Sequence, residues 1–149
     1  MNGARDGIPV YLGVGVSSRC TLELLEGALA AVRQRVEEAV TEDPSTPSAG
    51  RGYVVALPEH RLDVPALRAW REVASLPYCV IDANALKEAS RRASSRARRV
   101  THVAGAVSTA EALALAAGGP QAVLLVPRLR AGHATCAAAA AWPQSGSAP

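Results

Sequence analysis

The chain of 149 residues contains no phenylalanine, and aromatic residues make up only 3% of it. Bases of single-stranded nucleic acids stack on aromatic side chains, so this shortage argues against a function in nucleic-acid binding. No apolar run approaches the roughly 20 residues that cross a bilayer, and the first residues lack a signal-peptide pattern. We therefore expect a cytoplasmic protein that binds neither nucleic acid nor membrane.

Cysteine and histidine are scarce and scattered. The three cysteines are Cys20, Cys79 and Cys136. Their odd number and wide spacing fit a reducing compartment and argue against a disulfide framework or a zinc site. The three histidines are His60, His102 and His133. They also lack the spacing of metal ligands, so we expect small core cysteines, no bound metal and no cofactor.

Acidic residues are missing from the end of the chain, because none follows Glu111. Residues 1–86 carry eight basic and eleven acidic side chains, whereas residues 87–149 carry eight basic and two acidic ones. Such a positive half favours an anionic partner. Six of the sixteen basic residues lie between Lys87 and Arg99. We interpret this cluster as a mobile, solvated segment; the alternatives are screening of an anionic ligand, recruitment of an acidic partner, or binding to phosphates.

Apolar periodicity predicts strands that alternate with helices. The predicted strands are Val10–Val16, Tyr53–Leu57, Leu76–Ile81, Ala122–Val126 and His133–Ala139, the last two paired as a hairpin across Pro127–Gly132. The predicted helices follow Thr21, Pro65 (capped by Asp63), Asp82 and Ser108. Residues 41–52 are predicted to form a loop, and residues 100–104 a short extended piece.

Strands alternating with helices indicate β-α-β units. We therefore predict a single α/β domain over residues 10–141, with three α/β/α layers. Its sheet is expected to be mostly parallel with four to five strands, and the terminal hairpin would make it mixed. Residues 1–9 and 142–149 are predicted to be tails, the second of them disordered.

Two loops rich in small residues each lead into the start of a helix. The first loop offers the candidate ligand contacts Gly13, Gly15, Ser17, Ser18 and Arg19. The second offers Ser108, Thr109 and Glu111, in which Ser108 and Glu111 have the spacing of a capping box. Backbone N–H groups and the positive end of a helix hold anions well. Because ligands of such sheets lie beyond the carboxyl ends of the strands, both loops are expected at one edge.

Each loop also has a purely structural interpretation. The polar residues of the first loop either contact a ligand carboxylate or only cap the helix. Its two glycines match part of a dinucleotide fingerprint, but Ser18 replaces the third glycine, which makes nucleotide binding the weaker alternative. In the second loop the capping pair either lines the site or serves only the helix, and Glu111 is a weak candidate for acid–base catalysis. The Thr109 side chain is not needed by the cap.

The order of these segments resembles the CobE family of cobalamin biosynthesis proteins, whose domain also forms the C-terminal part of CbiG. The resemblance spans residues 10–141, and its best motif is GAVSTAE at residues 105–111, similar to the family's G-x-x-S-V-A-E. It is also carried by GVG at 13–15, SSRCT at 17–21, VVAL at 54–57, RLDVPAL at 61–67, LPYCVI at 76–81, LLVPR at 124–128 and ATCA at 134–137.

Arg61 and Arg128 stand where this family often has lysine, so the charge is kept. Each arginine follows a predicted strand end and is a candidate for bidentate pairing with a carboxylate; the alternative is a solvated surface arginine. Val64 stands where the family often has an acid, and the neighbouring Asp63 is the residue that could replace it.

The resemblance implies a role in building the corrin ring of vitamin B12. Intermediates of that pathway carry acetate and propionate groups around a flat apolar ring, so a binding site needs cations, N–H donors and an apolar floor. Our main hypothesis is binding of a corrinoid or precorrin at the two loops. The alternatives are a hydrolase of the ring lactone, as in CbiG, and an interaction module that passes intermediates between pathway enzymes through residues 87–99. No catalytic residue is identified.

Overall fold

The computed structural model describes residues 9–43, 52–101 and 108–141, with residues 93–101 described by their backbone. Its strands are β1 (Val10–Val16), β2 (Tyr53–Pro58), β3 (Tyr78–Ile81), β4 (Ala122–Ala131) and β5 (Ala134–Ala141). Its helices are α1 (Leu22–Glu42), α2 (Pro65–Val73), α3 (Ala83–Thr101) and α4 (Thr109–Gly118), and a 3-10 turn follows β2 at Glu59–Arg61. The predicted α/β fold is confirmed.

The five strands form one mixed sheet in the order β3-β2-β1-β5-β4. The first three strands are parallel, whereas β5 runs antiparallel to both β1 and β4. The terminal hairpin therefore lies beside β1, with Val16 opposite Ala134. This register carries the turn of the hairpin to the carboxyl end of β1, which is the edge where the sequence predicts a ligand site.

Helices cover both faces of the sheet. One face of β1 packs with α1 and α2 through large aliphatic side chains, among them Leu12, Leu29 and Leu67. The other face packs against α4, and α3 lies on α4. Small residues dominate that second face, where Ala89, Ala114 and Ala139 are all buried. Alternation along β1 sends successive side chains to these two layers.

Two of the three predicted helix caps, Asp82 and Ser108, are confirmed. Asp82 accepts a hydrogen bond from the Ala85 N–H group at 2.8 Å. In α1 the cap is Thr21, rather than the preceding loop residues Ser17–Arg19, and its side chain accepts the Leu24 N–H group at 3.1 Å. Ser108 forms the full capping box of α4. The third predicted cap, Asp63, is wrong, because α2 has Val64 at its N-cap with no side-chain hydrogen bond. Proline at the first position fixes the φ angle of the helix start and has no N–H group that would need an acceptor.

Other predicted boundaries need correction. The basic cluster that we interpret as a mobile, solvated segment is part of α3, which runs to Thr101. Alanine, leucine and arginine are strong helix formers, so the interspersed serines do not end the helix. Residues 100 and 101 are therefore helical rather than extended, while 102–104 lie outside the described residues, as does most of the predicted loop after α1.

Strand β4 is also longer than predicted, because it continues past Pro127 to Ala131. It is an edge strand with register shifts on either side of Val126. Edge strands tolerate a proline that donates no hydrogen bond and bulges that bend the backbone. The turn of the hairpin shrinks to Gly132 and His133, and Gly132 adopts a φ of 60° that favours glycine.

Within residues 9–43, 52–101 and 108–141, no helix is both long enough and apolar enough to cross a membrane.

Candidate functional site: a cationic cleft at the carboxyl edge

A cleft of about 450 Å³ lies at the carboxyl ends of β1 and β2. Three further segments close its walls: the 3-10 turn after β2, the first turn of α4, and the tip of the β4–β5 hairpin. Its lining residues are Gly15, Val16, Ser17, Pro58, His60, Arg61, Ser108, Thr109, Arg128, Arg130, Gly132, His133 and Thr135. The volume falls within the range of about 300–1,000 Å³ that is usual for small-molecule sites.

The exit of β1 is fixed to the hairpin by its backbone. Ser17 donates its N–H group to the carbonyl oxygen of His133 at 3.1 Å, and Thr135 donates its hydroxyl to the Gly15 carbonyl at 3.4 Å. The Ser17 hydroxyl accepts a hydrogen bond from the N–H group of Arg19 at 3.2 Å. These bonds hold the two walls of the cleft together and set the direction in which Ser17 leaves the strand.

The α4 wall is held by Glu111. One of its carboxylate oxygens accepts the N–H group of Ser108 at 3.1 Å, and the other accepts the N–H group of Arg128 at 3.0 Å. Glu111 therefore joins the start of α4 to β4. Because both oxygens already accept backbone donors, we assign this carboxylate a positioning role rather than one in proton transfer.

Positive charge collects on the lining. Three arginines line the cleft, Arg61 on the 3-10 turn and both Arg128 and Arg130 on β4. His60 and His133 line the cleft beside them, and all five side chains are exposed to solvent. Among the described residues that line the cleft there is no aspartate or glutamate. Cationic forks with hydroxyl and N–H donors make a surface that suits carboxylates or other anions.

Six of the ten site residues predicted from the sequence meet in this cleft: Gly15, Ser17, Arg61, Ser108, Thr109 and Arg128. The other four lie elsewhere. Ser18 and Arg19 are exposed in the turn before α1 and do not line the cleft. Glu111 lies behind the wall, as described above. Gly13 is buried against α4, where an added Cβ would overlap the carbonyl oxygen of Ala110 and lie 2.7 Å from the nitrogen of Ala114.

Sequence reasoning missed four polar residues of the lining as ligand contacts: His60, Arg130, His133 and Thr135. A signal for Arg130 was present, because Arg128 and Arg130 are two positions apart and would share one face of a strand. Because the predicted strand ended at Val126, the shared face of Arg128 and Arg130 was not recognised. His133 entered the site only through the antiparallel register of β5, which single-sequence patterns do not show.

The described residues of this edge offer neither a group of metal ligands nor an activated thiol. Within the described part of the chain, no group of three or more histidine, cysteine or acidic side chains is arranged to hold a metal ion. His102 lies outside the described residues. Cys20 and Cys136 are buried core residues, as expected. Burial raises the pKa of the thiols of Cys20, Cys79 and Cys136, which disfavours the reactive thiolate.

Comparison with known families decides the relationship. The family model for the cobalamin synthesis G C-terminus matches residues 10–139. The chain belongs to this family. Its place among proteins of cobalamin biosynthesis agrees with the resemblance carried by the GVG and GAVSTAE motifs. No curated protein sequence matches the chain.

Solved structures from the same pathway share the fold of this cobalamin synthesis G C-terminus domain. One is the cobalamin biosynthesis protein chiG from Agrobacterium tumefaciens str. C58, with a TM-score of 0.57 and 22% identity over 88% of this chain and 97% of that one. Another is CobE, a protein from the cobalamin (vitamin B12) biosynthetic pathway, with a TM-score of 0.53 and 24% identity over 87% and 91% of the two chains.

Proposed function

We propose that this protein binds a corrinoid or precorrin with free carboxylates in the cationic cleft. The observation that supports this most directly is the convergence of Arg61, Arg128 and Arg130 from two separate segments onto one cleft. The family places the chain in corrin synthesis, and the intermediates of that pathway are polycarboxylates. A polyanion engages several such cations at once, which is why the cluster matters more than any single arginine.

Binding is expected to use two kinds of donor. The exposed arginines can each pair with an acetate or propionate group of the ligand, and a hydrogen bond to a charged group contributes about 1.5–3 kcal/mol. Ser17 and Thr109 add hydroxyls at the start of the cleft and at the first turn of α4. The positive end of the α4 dipole adds a smaller, salt-sensitive attraction for the carboxylates. Affinity should therefore fall as ionic strength rises.

The decisive measurement is a titration with cobyrinic acid, a corrinoid with free carboxylates, followed by its visible spectrum at low salt. We expect binding at micromolar concentrations, weakened about tenfold by Arg61→Gln and about a hundredfold by Arg61→Gln with Arg128→Gln. The matched control is Arg35→Gln, an exposed arginine on α1 whose side chain lies 3.6 Å from Glu38. Absence of binding, or equal losses in the control, would contradict the proposal.

Two alternative functions predict different results in a turnover assay and in a capture assay. A lactone hydrolase would consume the lactone intermediate and release the carbon fragment, whereas a binding protein returns it unchanged. An interaction module acting through α3 would lose capture of pathway enzymes on charge reversal at Arg91 and Arg92, which line neither cavity, with its corrinoid affinity retained. The cytoplasmic location stays a prediction, supported by the three free cysteines, and cell fractionation tests it.

A further inference from the structure

A second cavity of about 440 Å³ adjoins the cationic cleft, and the two share His60 and Thr109 in their linings. Its other lining residues are Ala83, Leu86, Lys87, Ser90 and Ala112. Four of these residues lie on α3 at the spacing i, i+3, i+4, i+7, which places them on one face of that helix. The cavity is therefore a groove between the first two turns of α3 and the first turns of α4.

The two cavities differ in chemistry. The first is lined by three arginines and by hydroxyl groups. The second offers an apolar surface from Ala83, Leu86 and Ala112, with a single cation, Lys87, at its edge. Neither lining contains an acidic residue among the described residues. One ligand that filled both would meet its anionic substituents with arginine and an apolar part with alanine and leucine.

We propose that the groove beside α3 is a second subsite, which receives the apolar face of a flat ring whose carboxylates lie in the cationic cleft. This inference rests on the proposed function. His60 and Thr109 separate the two compartments, and Lys87 meets a carboxylate on the far edge of the ring. A single compartment is smaller than a substituted macrocycle, whereas the two together approach the upper end of the usual range of about 300–1,000 Å³.

The test places one negative charge on the floor of the groove. Leu86→Asp should weaken cobyrinic acid binding at least about tenfold, because it removes apolar contact and repels the ligand. Asn84→Asp is the matched control, since Asn84 is exposed on the same helix, lies outside both linings and gains the same charge. We expect the control to remain within about twofold of the unmodified protein.

Lys87→Glu serves as a second variant, because Lys87 is exposed and its replacement should leave folding intact. It should also weaken binding about tenfold or more. Circular dichroism and the midpoint of thermal unfolding establish that each variant is folded. Wild-type affinity in Lys87→Glu and in folded Leu86→Asp, together with lost affinity in Arg61→Gln, would overturn the second subsite and leave the proposed function standing. No binding by the unmodified protein would overturn both.

Discussion

The two faces of the sheet are built from different residues, and the face that packs against α4 positions one wall of the cleft. Facing α1, strand β1 presents Val10, Leu12 and Val14, all fully buried against large side chains of that helix. Facing α4, the same strand presents Gly13, and β5 presents alanine. Large side chains bury more apolar area, so the α1 face contributes more to the hydrophobic stabilisation of the fold.

The α4 face buries less apolar area, but it lets the α4 helix approach β1 closely. Because Gly13 has no side chain, the backbone of α4 at Ala110 and Ala114 packs directly on β1. This close approach brings Ser108 and Thr109 to the carboxyl edge, where Glu111 joins α4 to β4 at Arg128. The lack of bulk on this face is therefore what positions the α4 wall of the cleft.

Gly13→Ala should have the largest effect on this arrangement. The new Cβ would overlap backbone rather than a flexible side chain, so α4 must shift away from β1. We expect a loss of about 3 kcal/mol or more in the free energy of unfolding, measured by urea denaturation. Cobyrinic acid affinity should also fall, since the first turn of α4 moves with the helix.

The same substitution on the opposite helix gives the control. Gly27 lies in α1, where an added Cβ would meet no atom within 4 Å. Gly27→Ala should raise the free energy of unfolding by about 0.5–1 kcal/mol, because alanine loses less backbone entropy in a helix. Equal stabilities for the two variants would show that the close approach of α4 is not a constraint.

Substitutions at two N-caps should have smaller effects, and they should distinguish a loss of stability from a loss of ligand affinity. Thr21 caps α1 and Ser108 caps α4, each through a side-chain oxygen that accepts a backbone N–H group at 3.1 Å. Replacing either by alanine should cost about 1 kcal/mol of the free energy of unfolding. Only Ser108→Ala should also weaken cobyrinic acid binding, by a few-fold, because Ser108 lines the cleft. Parallel losses of affinity in both variants would contradict this division.

Much of the fold follows from local sequence patterns. The first strand, the Asp82 and Ser108 caps and the mixed sheet all follow from apolar periodicity and capping chemistry, which act over a few residues. The predicted Asp63 cap of α2 was wrong because the helix begins at Pro65, which puts Val64 and not Asp63 at the N-cap position. The extent of α3 was not predicted, because helix propensity continues the helix through the polar, serine-rich run of residues 91–99 to Thr101.

The site was only partly predictable, for a related reason. Ser17, Arg61 and Ser108 follow strands or begin a helix, so a general rule about parallel sheets brings them to one edge. Gly13 was misassigned because a glycine that admits a helix and a glycine that admits a ligand look alike in sequence. Arg130 and His133 depend on the length of β4 and on the antiparallel register of β5, which are set by long-range pairing.

The smallest expected change in the free energy of unfolding concerns Tyr53 on the α1 face, and it depends on pH. The Tyr53 hydroxyl donates a hydrogen bond to the Glu37 carboxylate at 2.9 Å. Burial first, and then that carboxylate, raises the pKa of Tyr53 to about 12. The folded state thus holds this proton more tightly than the unfolded chain, whose tyrosine titrates near pH 10. The resulting stabilisation is complete below pH 10 and is lost as the pH rises through 12.

Tyr53→Phe removes both the hydrogen bond and this titration. At pH 7 the variant should be less stable than the unmodified protein by about 0.5 kcal/mol, because the bond is solvent-exposed. Between pH 10 and 12 the difference should shrink and then reverse, since burial penalises the ionised tyrosine and phenylalanine carries no charge. Urea denaturation of both proteins across this range measures the difference. Two curves that stay parallel would show that the link between β2 and α1 does not depend on the protonation of Tyr53.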